Sequence, residues 1–386
     1  MDWMLSKEEG GLLEEIKQFA KKELASNLRT RDREATFDRA SWKKCGEKGI
    51  LGAHVDSQWG GGGRSALETV LMMEGVGYGT RDNGLTLALG GQTWSIQEPI
   101  EVFGTEAQKK KYLPKLTSGE WVGAHGVSEE SSGSDALSLQ TRAEKVEGGY
   151  VLNGKKCFIG MSPESDVALV LAKTDPSLGS WGVSVFLVEK GMKGFSLSEA
   201  RSKMGTRTNP LGDLILEDCF VPDNQRLGEE GLGMSLFART ITWERAFIHA
   251  GHLGSMERML EDCIKYAQER KQFGKSIGNY QAISHRIAEM KMRQETSRLL
   301  LYQVARAKDE GKSAELACSI SKLYISESLV TSGLDAVRIH GARGYLEEYE
   351  VERELRDHTS GVIYAGTSDI QKNLIAQFLG VEEKVN

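Results

Sequence analysis

The amino-acid sequence predicts an α+β protein in which a helical part, a β-rich part and a second helical part follow one another. Residues 1–120 and 227–386 carry apolar residues at helical spacing. Residues 121–226 instead carry β-branched and apolar runs that Gly, Asn, Asp and Pro separate. We therefore expect three domains with these bounds, a number that suits a chain of 386 residues.

The first helical part contains clear signals for the beginning and end of helices. Ser6 and Glu9 form a predicted capping box before the apolar positions of LLEEIKQFAKKEL. A second helix is expected after Ser65, and a short third helix over 104–116, ending at Pro114. The first domain is therefore predicted to be entirely helical.

The middle part contains four predicted strands, and the last part four predicted helices. The strands are YVLNGKKCFIG, DVALVLAKT, WGVSVFLVEK and GDLILEDCFVP, which favour an antiparallel barrel or sandwich that ends at Pro222. The helices are expected over 233–270, 281–309, 313–339 and 368–379.

Composition excludes several classes of protein. The net charge of −6 and the pI of about 5.8 disfavour a nucleic-acid partner. The five cysteines are scattered without a CxxC pair, so neither a zinc site nor a disulfide framework is expected. The WGGGGRS run lies between helices, not after a strand, so it predicts a turn and not a dinucleotide-binding loop. No apolar run approaches a membrane-spanning length, and the first residues resemble no targeting sequence, so we expect a cytoplasmic protein without a metal.

Three short motifs carry most of the functional information. GVSEESSGSD at 126–135 is rich in hydroxyl groups, RKQFGK begins at Arg270, and YAGTSDIQ lies at 364–371. Each alone is equally consistent with a surface loop or a solvated basic face. In this order, together with GTEAQKKKYLPKLTSGEW, KMGTRTNPLGDLILEDCFVP and GARGYLEEYEVERELRD, they make the whole chain resemble the acyl-CoA dehydrogenase flavoproteins.

The resemblance implies a fold, a cofactor and an assembly. The expected fold is an N-terminal helical domain, a central β-barrel domain and a C-terminal four-helix bundle, with one FAD per subunit in a homotetramer. Hydroxyl groups and turn N–H groups of the first motif suit the flavin edge and phosphates, and Arg270 would reach the pyrophosphate from a neighbouring subunit. By resemblance, the positions that contact the cofactor are His125, Val127, Ser128, Gly133, Ser134, Phe158, Gly160, Arg270, Gln272, Phe273, Gln281, Arg338, Ala342, Thr367 and Asp369.

Three positions depart from the family pattern. Arg338 stands where members commonly have Gln, and Ala342 replaces a glycine. Gly160 stands where members commonly have Thr or Ser beside the reactive nitrogen of the flavin. The missing hydroxyl leaves the electron acceptor open between an electron-transfer flavoprotein and dioxygen.

The family reaction removes an α-proton from an acyl thioester, and many members place the basic Glu where Ala365 stands here. A minority place it on the long C-terminal helix, at the position of Glu244. Helical spacing singles out the same residue, because Phe237, Ile241, Glu244 and Ile248 share one otherwise apolar face. Burial there is expected to raise its pKa towards neutrality, as suits a general base. The alternative is an ion pair between this Glu and an arginine of another helix.

The turn at Ala365 keeps a role in this interpretation. By resemblance, its backbone N–H donates to the thioester oxygen and stabilises the enolate. Ser134, Arg245, Tyr364 and Gly366 are the expected substrate-binding positions.

The substrate is predicted to be a prolyl group on an acyl or peptidyl carrier protein in natural-product biosynthesis. Arg201, Lys203 and Arg207 are candidate channel-rim residues for an acidic carrier, although each also suits a solvated face. The main alternative is a branched-chain (isovaleryl-type) acyl-CoA dehydrogenase. A flavin monooxygenase or nitroalkane-type oxidase, and a flavin-binding assembly factor without activity, are the alternatives from other classes, and Glu244 argues against the last.

Overall fold

Helices form the two ends of the chain and strands form its middle. The computed structural model describes residues 4–381. Seven helices precede the sheet: α1 Lys7–Glu23, α2 Leu28–Glu34, α3 Arg39–Glu47, α4 Ala66–Thr80, α5 Asn83–Gly91, α6 Glu98–Phe103 and α7 Glu106–Thr117. A π-helical segment, Gln92–Gln97, connects α5 to α6.

Capping boxes begin helices α1 and α4. The Ser6 hydroxyl accepts from the Glu9 N–H while the Glu9 carboxylate accepts from the Ser6 N–H, so the predicted box is confirmed. Ser65 and Glu68 form the same arrangement before α4. These caps satisfy N–H groups that a helix start otherwise leaves unpaired.

Helix α4 is almost wholly buried, and glycines let its neighbours come close. A Cβ at Gly75 would lie 2.8 Å from Cβ of Ile16 on α1. A Cβ at Gly77 would lie 1.7 Å from the Gly251 carbonyl oxygen. No side chain fits at either contact, so this sequence brings α1 and the C-terminal helices against opposite sides of α4.

The predicted end of the third helix at Pro114 is wrong, because α7 continues through Pro114 to Thr117. Proline lacks an N–H and disfavours a helix interior. Leu113 and Leu116 on either side of it are fully buried. Their burial outweighs the local preference, so the helix continues for three residues beyond the proline.

The middle of the chain forms one eight-stranded sheet. Its strands are β1 Gly123–Gly126, β2 Arg142–Val146, β3 Gly149–Gly160, β4 Val167–Lys173, β5 Val183–Glu189, β6 Phe195–Leu197, β7 Leu211–Pro222 and β8 Arg226–Leu227. The order is β6-β7-β3-β2-β4-β5-β8, with β1 paired to β4. The four predicted strands correspond to β3, β4, β5 and β7.

The sequence predicted an antiparallel sheet, but the observed sheet also contains parallel pairs. Strand β1 runs parallel to β4, from Gly123 opposite Val167 to Gly126 opposite Val170, and β2 meets β4 in one further parallel pair. A long loop follows β1 instead of a hairpin turn. A hairpin would have made the next strand an antiparallel neighbour, whereas a long connection permits parallel pairing. Strand β1 has the sequence GAHG, which lacks the β-branched residues that would have revealed it.

The last part of the chain is again mainly helical. Its helices are α8 Gly233–Phe247, α9 Ala250–Glu269, α10 Gln281–Asp309, α11 Glu315–His340, α12 Ala342–Tyr345, α13 Val351–Thr359 and α14 Ser368–Phe378. A two-stranded hairpin, β9 Lys271–Gln272 with β10 Lys275–Ser276, lies between α9 and α10. None of the helices within residues 4–381 is both long and apolar enough to span a membrane.

The single helix predicted over 233–270 is divided in two. Ile248 and His249 separate α8 from α9, and neither glycine nor proline occupies the break. The His249 ring is fully buried and stacks on Tyr364, with ring centroids 5.3 Å apart. This contact lies 115 residues away along the chain, so local sequence carried no signal for it.

The two helical parts share one hydrophobic core. It includes Ile16, Leu71, Leu253, Leu301 and Leu329, which come from α1, α4, α9, α10 and α11. A second core lies between the sheet and helices α6, α7 and α8, and includes Leu113, Leu169 and Leu187. Helix α8 therefore lies at the boundary between the sheet and the helices.

Candidate active site

Glu244 lies on α8 in surroundings that disfavour its charge. Its side chain is 12% exposed, and Oε2 has no hydrogen-bond partner within residues 4–381. Burial raises the pKa of Glu244 to about 7, against the opposing effects of the Ser95 hydroxyl and the Arg245 cation. A carboxyl group with this pKa is half ionised near neutral pH and suits proton abstraction.

The alternative of an ion pair with an arginine from another helix is not seen among the described residues. The nearest basic side chain from another element is His125 of β1, whose Nδ1 lies 3.9 Å from Glu244 Oε2. Burial and the cation of Lys156 lower the pKa of His125 to about 4. The imidazole is therefore neutral near pH 7 and does not neutralise the carboxylate.

A turn from the end of the chain lies on the other side of Arg245. The Arg245 Nε is 3.5 Å from the Ala365 carbonyl oxygen, and Gln371 Nε2 is 3.4 Å from the same atom. Arg245 thus bridges the helix that carries Glu244 and the turn that carries Ala365. Arg245 was an expected substrate-binding position, and this contact places it beside the Ala365 turn.

The backbone of this turn is held in an unusual conformation. Ala365 has φ of +53°, in the left-handed region, and Gly366 has φ of +88°. Within residues 4–381, the Ala365 N–H donates to no backbone or side-chain acceptor. A left-handed alanine costs roughly 1 kcal/mol, and such backbone strain is common where an N–H must face a ligand.

Tyr364 and Thr367 support this turn from both ends. The Tyr364 hydroxyl lies 3.4 Å from Nδ1 of His249, and the Thr367 hydroxyl accepts from the Ile370 N–H at the start of α14. The fully buried Gln371 donates to the Gly366 carbonyl oxygen at 3.0 Å. These contacts fix the turn to the C-terminal helices.

The sheet supplies a second group of predicted residues. The Ser128 carbonyl oxygen accepts from the Cys157 N–H at 2.8 Å, which ties the loop after β1 to strand β3. Beneath it, the buried Lys156 donates to the Val127 carbonyl oxygen at 3.2 Å and pairs with Glu129 at 2.7 Å. The start of the GVSEESSGSD motif is therefore rigidly positioned.

The end of β3 presents an exposed aromatic ring and an open position. Phe158 is 48% exposed and has φ of +60°. A Cβ added at Gly160 would meet only Asn209 Oδ1, at 3.6 Å, which is an ordinary contact. That Asn209 oxygen is itself buried without a hydrogen-bond partner in the described chain.

These features fit a flavin. A flat aromatic ring system would cover the exposed Phe158 ring, and its polar edge would reach the Ser128 and Ser134 hydroxyls and the unpartnered Asn209 oxygen. Bound there, FAD supplies a hydride acceptor. The residues that would contact the flavin here lie on β3, in the loop after β1 and in the segment before β7, all within this chain.

Several predicted cofactor positions lie elsewhere on the chain. Gly133 and Asp369 are exposed, and Arg338 is 52% exposed at the end of α11, where it pairs with Asp335 at 3.6 Å. The positions Arg270, Gln272, Phe273, Gln281 and Ala342 are likewise exposed. No hydrogen bond or ion pair of the described chain joins any of them to Phe158 or Ser128. Within one chain, the structure does not bring these residues into the site.

The predicted rim residues are already engaged in internal contacts. Arg201 pairs with Asp213 at 2.8 Å and its guanidinium lies 4.8 Å from the centre of the Phe158 ring. Lys203 donates to the Thr206 hydroxyl at 3.0 Å, and burial lowers its pKa to about 8. Arg207 donates to the Lys203 carbonyl oxygen. These contacts hold the three cations in place, and Arg201 remains 38% exposed, so their role at a channel rim stays a prediction.

Sequence reasoning missed the π-helical segment Gln92–Gln97. Ser95 lies beside Glu244, and both amide atoms of the fully buried Gln97 lack a partner in the described chain. π-Helical turns occur often at functional sites. The sequence signal that could have revealed this segment is the run of polar residues in QTWSIQEP, which lies between two buried helices.

Three features together indicate a flavin-dependent enzyme. They are the buried Glu244 on α8, the strained turn at Ala365 and the exposed Phe158 ring on the mixed sheet. Family descriptions match nearly the whole chain: acyl-CoA dehydrogenase N-terminal domain over 6–120, middle domain over 124–219 and C-terminal domain over 231–380. The chain belongs to the acyl-CoA dehydrogenase family.

Individual relatives narrow the comparison. An L-prolyl-[peptidyl-carrier protein] dehydrogenase of Pseudomonas fluorescens is 43% identical, covering 89% of this chain and 90% of the relative. The prolyl acyl carrier protein oxidase AnaB superimposes with a TM-score of 0.96 at 43% identity, over 97% of this chain and all of that one. PigA with FAD and proline gives 0.96 at 38% identity, over 99% of this chain and all of that one.

A mitochondrial isovaleryl-CoA dehydrogenase of Oryza sativa is also similar. It is 37% identical over 96% of this chain and 90% of the relative. Relatives named for each of the two predicted substrates therefore match most of this chain.

Proposed function

We propose that this protein is an FAD-dependent enzyme that oxidises a prolyl group held as a thioester on a peptidyl carrier protein. The observation that carries the proposal is the buried carboxylate of Glu244, whose Oε2 has no partner within residues 4–381, next to the Arg245–Ala365 contact. The similarity to prolyl-carrier-protein dehydrogenases and oxidases supports the prolyl group and the carrier.

Two groups of this chain act on the thioester in this proposal. Glu244 removes the α-proton, for which its pKa of about 7 is suited. The Ala365 N–H donates to the thioester carbonyl oxygen, where negative charge develops as the proton leaves. Arg245 holds the Ala365 turn in place through its carbonyl oxygen.

The remaining predicted residues bind and orient. Val127, Ser128, Ser134 and Phe158 would hold the flavin, which would supply the hydride acceptor for the β-hydrogen. Tyr364, Gly366 and Ser134 line the substrate. Arg270, Gln272, Phe273 and Gln281 contribute from a neighbouring subunit, with Arg338, Ala342, Thr367 and Asp369 near the same interface. The exposure of these residues in the single chain, apart from the half-buried Thr367, is compatible with such an interface.

The electron acceptor in this proposal is dioxygen. The space at Gly160, where a Cβ would meet only one atom at 3.6 Å, leaves a path to the flavin edge that Thr or Ser would narrow. Hydrogen peroxide is then the second product. An electron-transfer flavoprotein is the alternative acceptor, and Gly160→Thr should slow reoxidation by dioxygen without changing reduction by substrate.

A branched-chain acyl-CoA dehydrogenase is the second candidate function. The 37% identity to an isovaleryl-CoA dehydrogenase favours it. A monooxygenase or nitroalkane-type oxidase and a flavin-binding assembly factor have no comparable support. A buried, unneutralised Glu244 is costly unless it serves a function, which argues against the assembly factor.

Product analysis tests the proposal. The holoenzyme is incubated in air with prolyl-carrier protein, prolyl-CoA and isovaleryl-CoA, and intact-mass measurement records loss of hydrogen pairs while peroxide is quantified. We expect oxidation of the prolyl-carrier protein with stoichiometric peroxide. Oxidation of isovaleryl-CoA alone would establish the branched-chain function instead.

A further inference from the structure

The neutral imidazole of His125 is a polar group next to the base that the proton-abstraction step does not use. It lies on β1, with Nδ1 3.9 Å from Glu244 Oε2 and its ring 6.0 Å from that of Phe237. Its side chain is 14% exposed, and no hydrogen bond within residues 4–381 engages either ring nitrogen. The family resemblance placed His125 only among cofactor positions.

The surroundings of His125 make an unprotonated nitrogen available. Burial and the Lys156 cation disfavour the imidazolium form. Lys156 itself is held beneath the loop by Glu129 and the Val127 carbonyl oxygen, so it cannot turn away. A neutral imidazole has one nitrogen that accepts and one that donates a hydrogen bond.

We propose that His125 determines substrate specificity by binding the ring nitrogen of the prolyl group. The α-carbon that loses its proton to Glu244 carries this nitrogen, so a substrate placed for proton abstraction brings its N–H within the same small space. The N–H donates to His125. This inference rests on the proposed function and adds the group that recognises the amine.

Recognition of this kind discriminates by leaving a polar group unsatisfied. A branched or carbocyclic acyl group offers no donor, so binding it would bury the accepting nitrogen of His125 without a partner. An unsatisfied buried polar group costs about 1–3 kcal/mol, which corresponds to a loss of roughly 5- to 150-fold. An apolar wall would give no such preference between rings of equal size.

The matched pair of substrates is a peptidyl carrier protein loaded with L-proline or with cyclopentanecarboxylate. The two acyl groups differ only by NH against CH2, and contributions from the carrier cancel. The ratio of kcat/KM for the two substrates is measured for the wild type, His125→Phe, His125→Asn and the control Phe237→Leu. The same ratio is measured as binding by flavin absorbance in a Glu244→Gln background.

We expect the wild type to favour the prolyl substrate, and His125→Phe to reduce this preference by roughly 10- to 100-fold. His125→Asn retains an acceptor and should recover part of it. Phe237→Leu changes an apolar side chain beside His125 and should leave the ratio of kcat/KM unchanged. A general loss of stability would lower both kcat/KM values equally and would not change their ratio either.

An unchanged ratio in both His125→Phe and His125→Asn, with normal FAD content, would overturn this inference while the proposed function stands. If His125→Phe loses FAD, the ratio in His125→Asn, measured at full FAD content, decides. Wild-type oxidation of isovaleryl-CoA without any of the prolyl substrate removes the proposed function and this inference together.

Discussion

At the scale of single residues, the tertiary surroundings of Glu244, more than its neighbours in sequence, set a pKa that suits proton abstraction. Burial raises its pKa to about 7, while the neutral His125 leaves it without a counter-charge. The rate of flavin reduction by saturating substrate should therefore rise with pH and level off above about pH 7. Stopped-flow measurements between pH 5 and 9 check this, and a flat profile would show that another group removes the proton.

The same burial has a consequence for stability. The pKa of Glu244 is higher in the folded chain than its ordinary value of 4.5. Its stabilising contribution is therefore complete below about pH 4.5 and is lost as the pH rises through 7. Glu244→Gln should raise the melting temperature at pH 8 and have little effect at pH 5.

Thermal unfolding at equal FAD saturation measures this difference. Glu217→Gln, at an exposed position on β7, serves as the control and should show no such dependence on pH. An equal change in melting temperature at both pH values would mean that Glu244 is ionised in the fold without cost.

Residue-level prediction succeeded where the signal was local. The 4, 3, 4 spacing around Glu244 and the Ala365 turn were visible in the sequence. His125 and Ser95 beside Glu244 were not, because they come from β1 and the π-helical segment, more than 100 residues away. Such contacts depend on tertiary packing, which a residue pattern does not encode by itself.

At the scale of secondary-structure elements, long periodic segments were predictable and their interruptions were not. Helix α10 has the predicted bounds of 281–309. The break between α8 and α9 and the continuation through Pro114 follow from burial against distant elements, and β1 pairs in parallel with the distant strand β4. Local propensity is a weak guide wherever such burial decides.

Helix α4 is joined to α10 by a buried charged group that stabilises the shared core. Glu74 is fully buried and accepts from Arg298 Nε at 2.9 Å and from the Tyr302 hydroxyl at 2.7 Å. Arg298→Met leaves the carboxylate without its cation and should lower the free energy of unfolding by about 3–5 kcal/mol. Urea unfolding at constant FAD provides the measurement.

Two further variants separate this effect from general perturbation. Glu74→Gln combined with Arg298→Met removes both charges and should regain most of the loss. Lys43→Met, in the exposed pair with Glu47 at 4.0 Å, should change stability by no more than about 0.5 kcal/mol. A small effect of Arg298→Met alone would show that Glu74 is satisfied by other means.

At the scale of the whole molecule, the surface of the single chain indicates a larger assembly. Phe273 is 93% exposed at the tip of the β9–β10 hairpin, and Tyr345, Ile363 and Leu379 are also largely exposed. Large exposed apolar side chains of this kind are typical of interfaces. Phe273 is itself one of the positions expected to reach a neighbouring flavin.

We expect light scattering to give a mass four times that of the 42.5 kDa chain. Arg270→Ala should reduce the FAD retained per chain, because a charge-assisted contact to phosphate is lost. Lys265→Ala, an exposed cation on α9, should retain FAD normally. A monomer with full FAD content would contradict an inter-subunit role for the hairpin.

The central claim for the molecule is that Glu244 removes the α-proton of a carrier-bound prolyl group. The most direct measurement is anaerobic flavin bleaching on mixing with prolyl-carrier protein, for the wild type and for Glu244→Gln, each with and without deuterium at the α-carbon. We expect rapid bleaching in the wild type, slowed by deuterium, and a rate lower by roughly 10²- to 10⁴-fold in Glu244→Gln with FAD binding intact. Equal rates in the two proteins, or rapid bleaching by isovaleryl-CoA and none by prolyl-carrier protein, would contradict it.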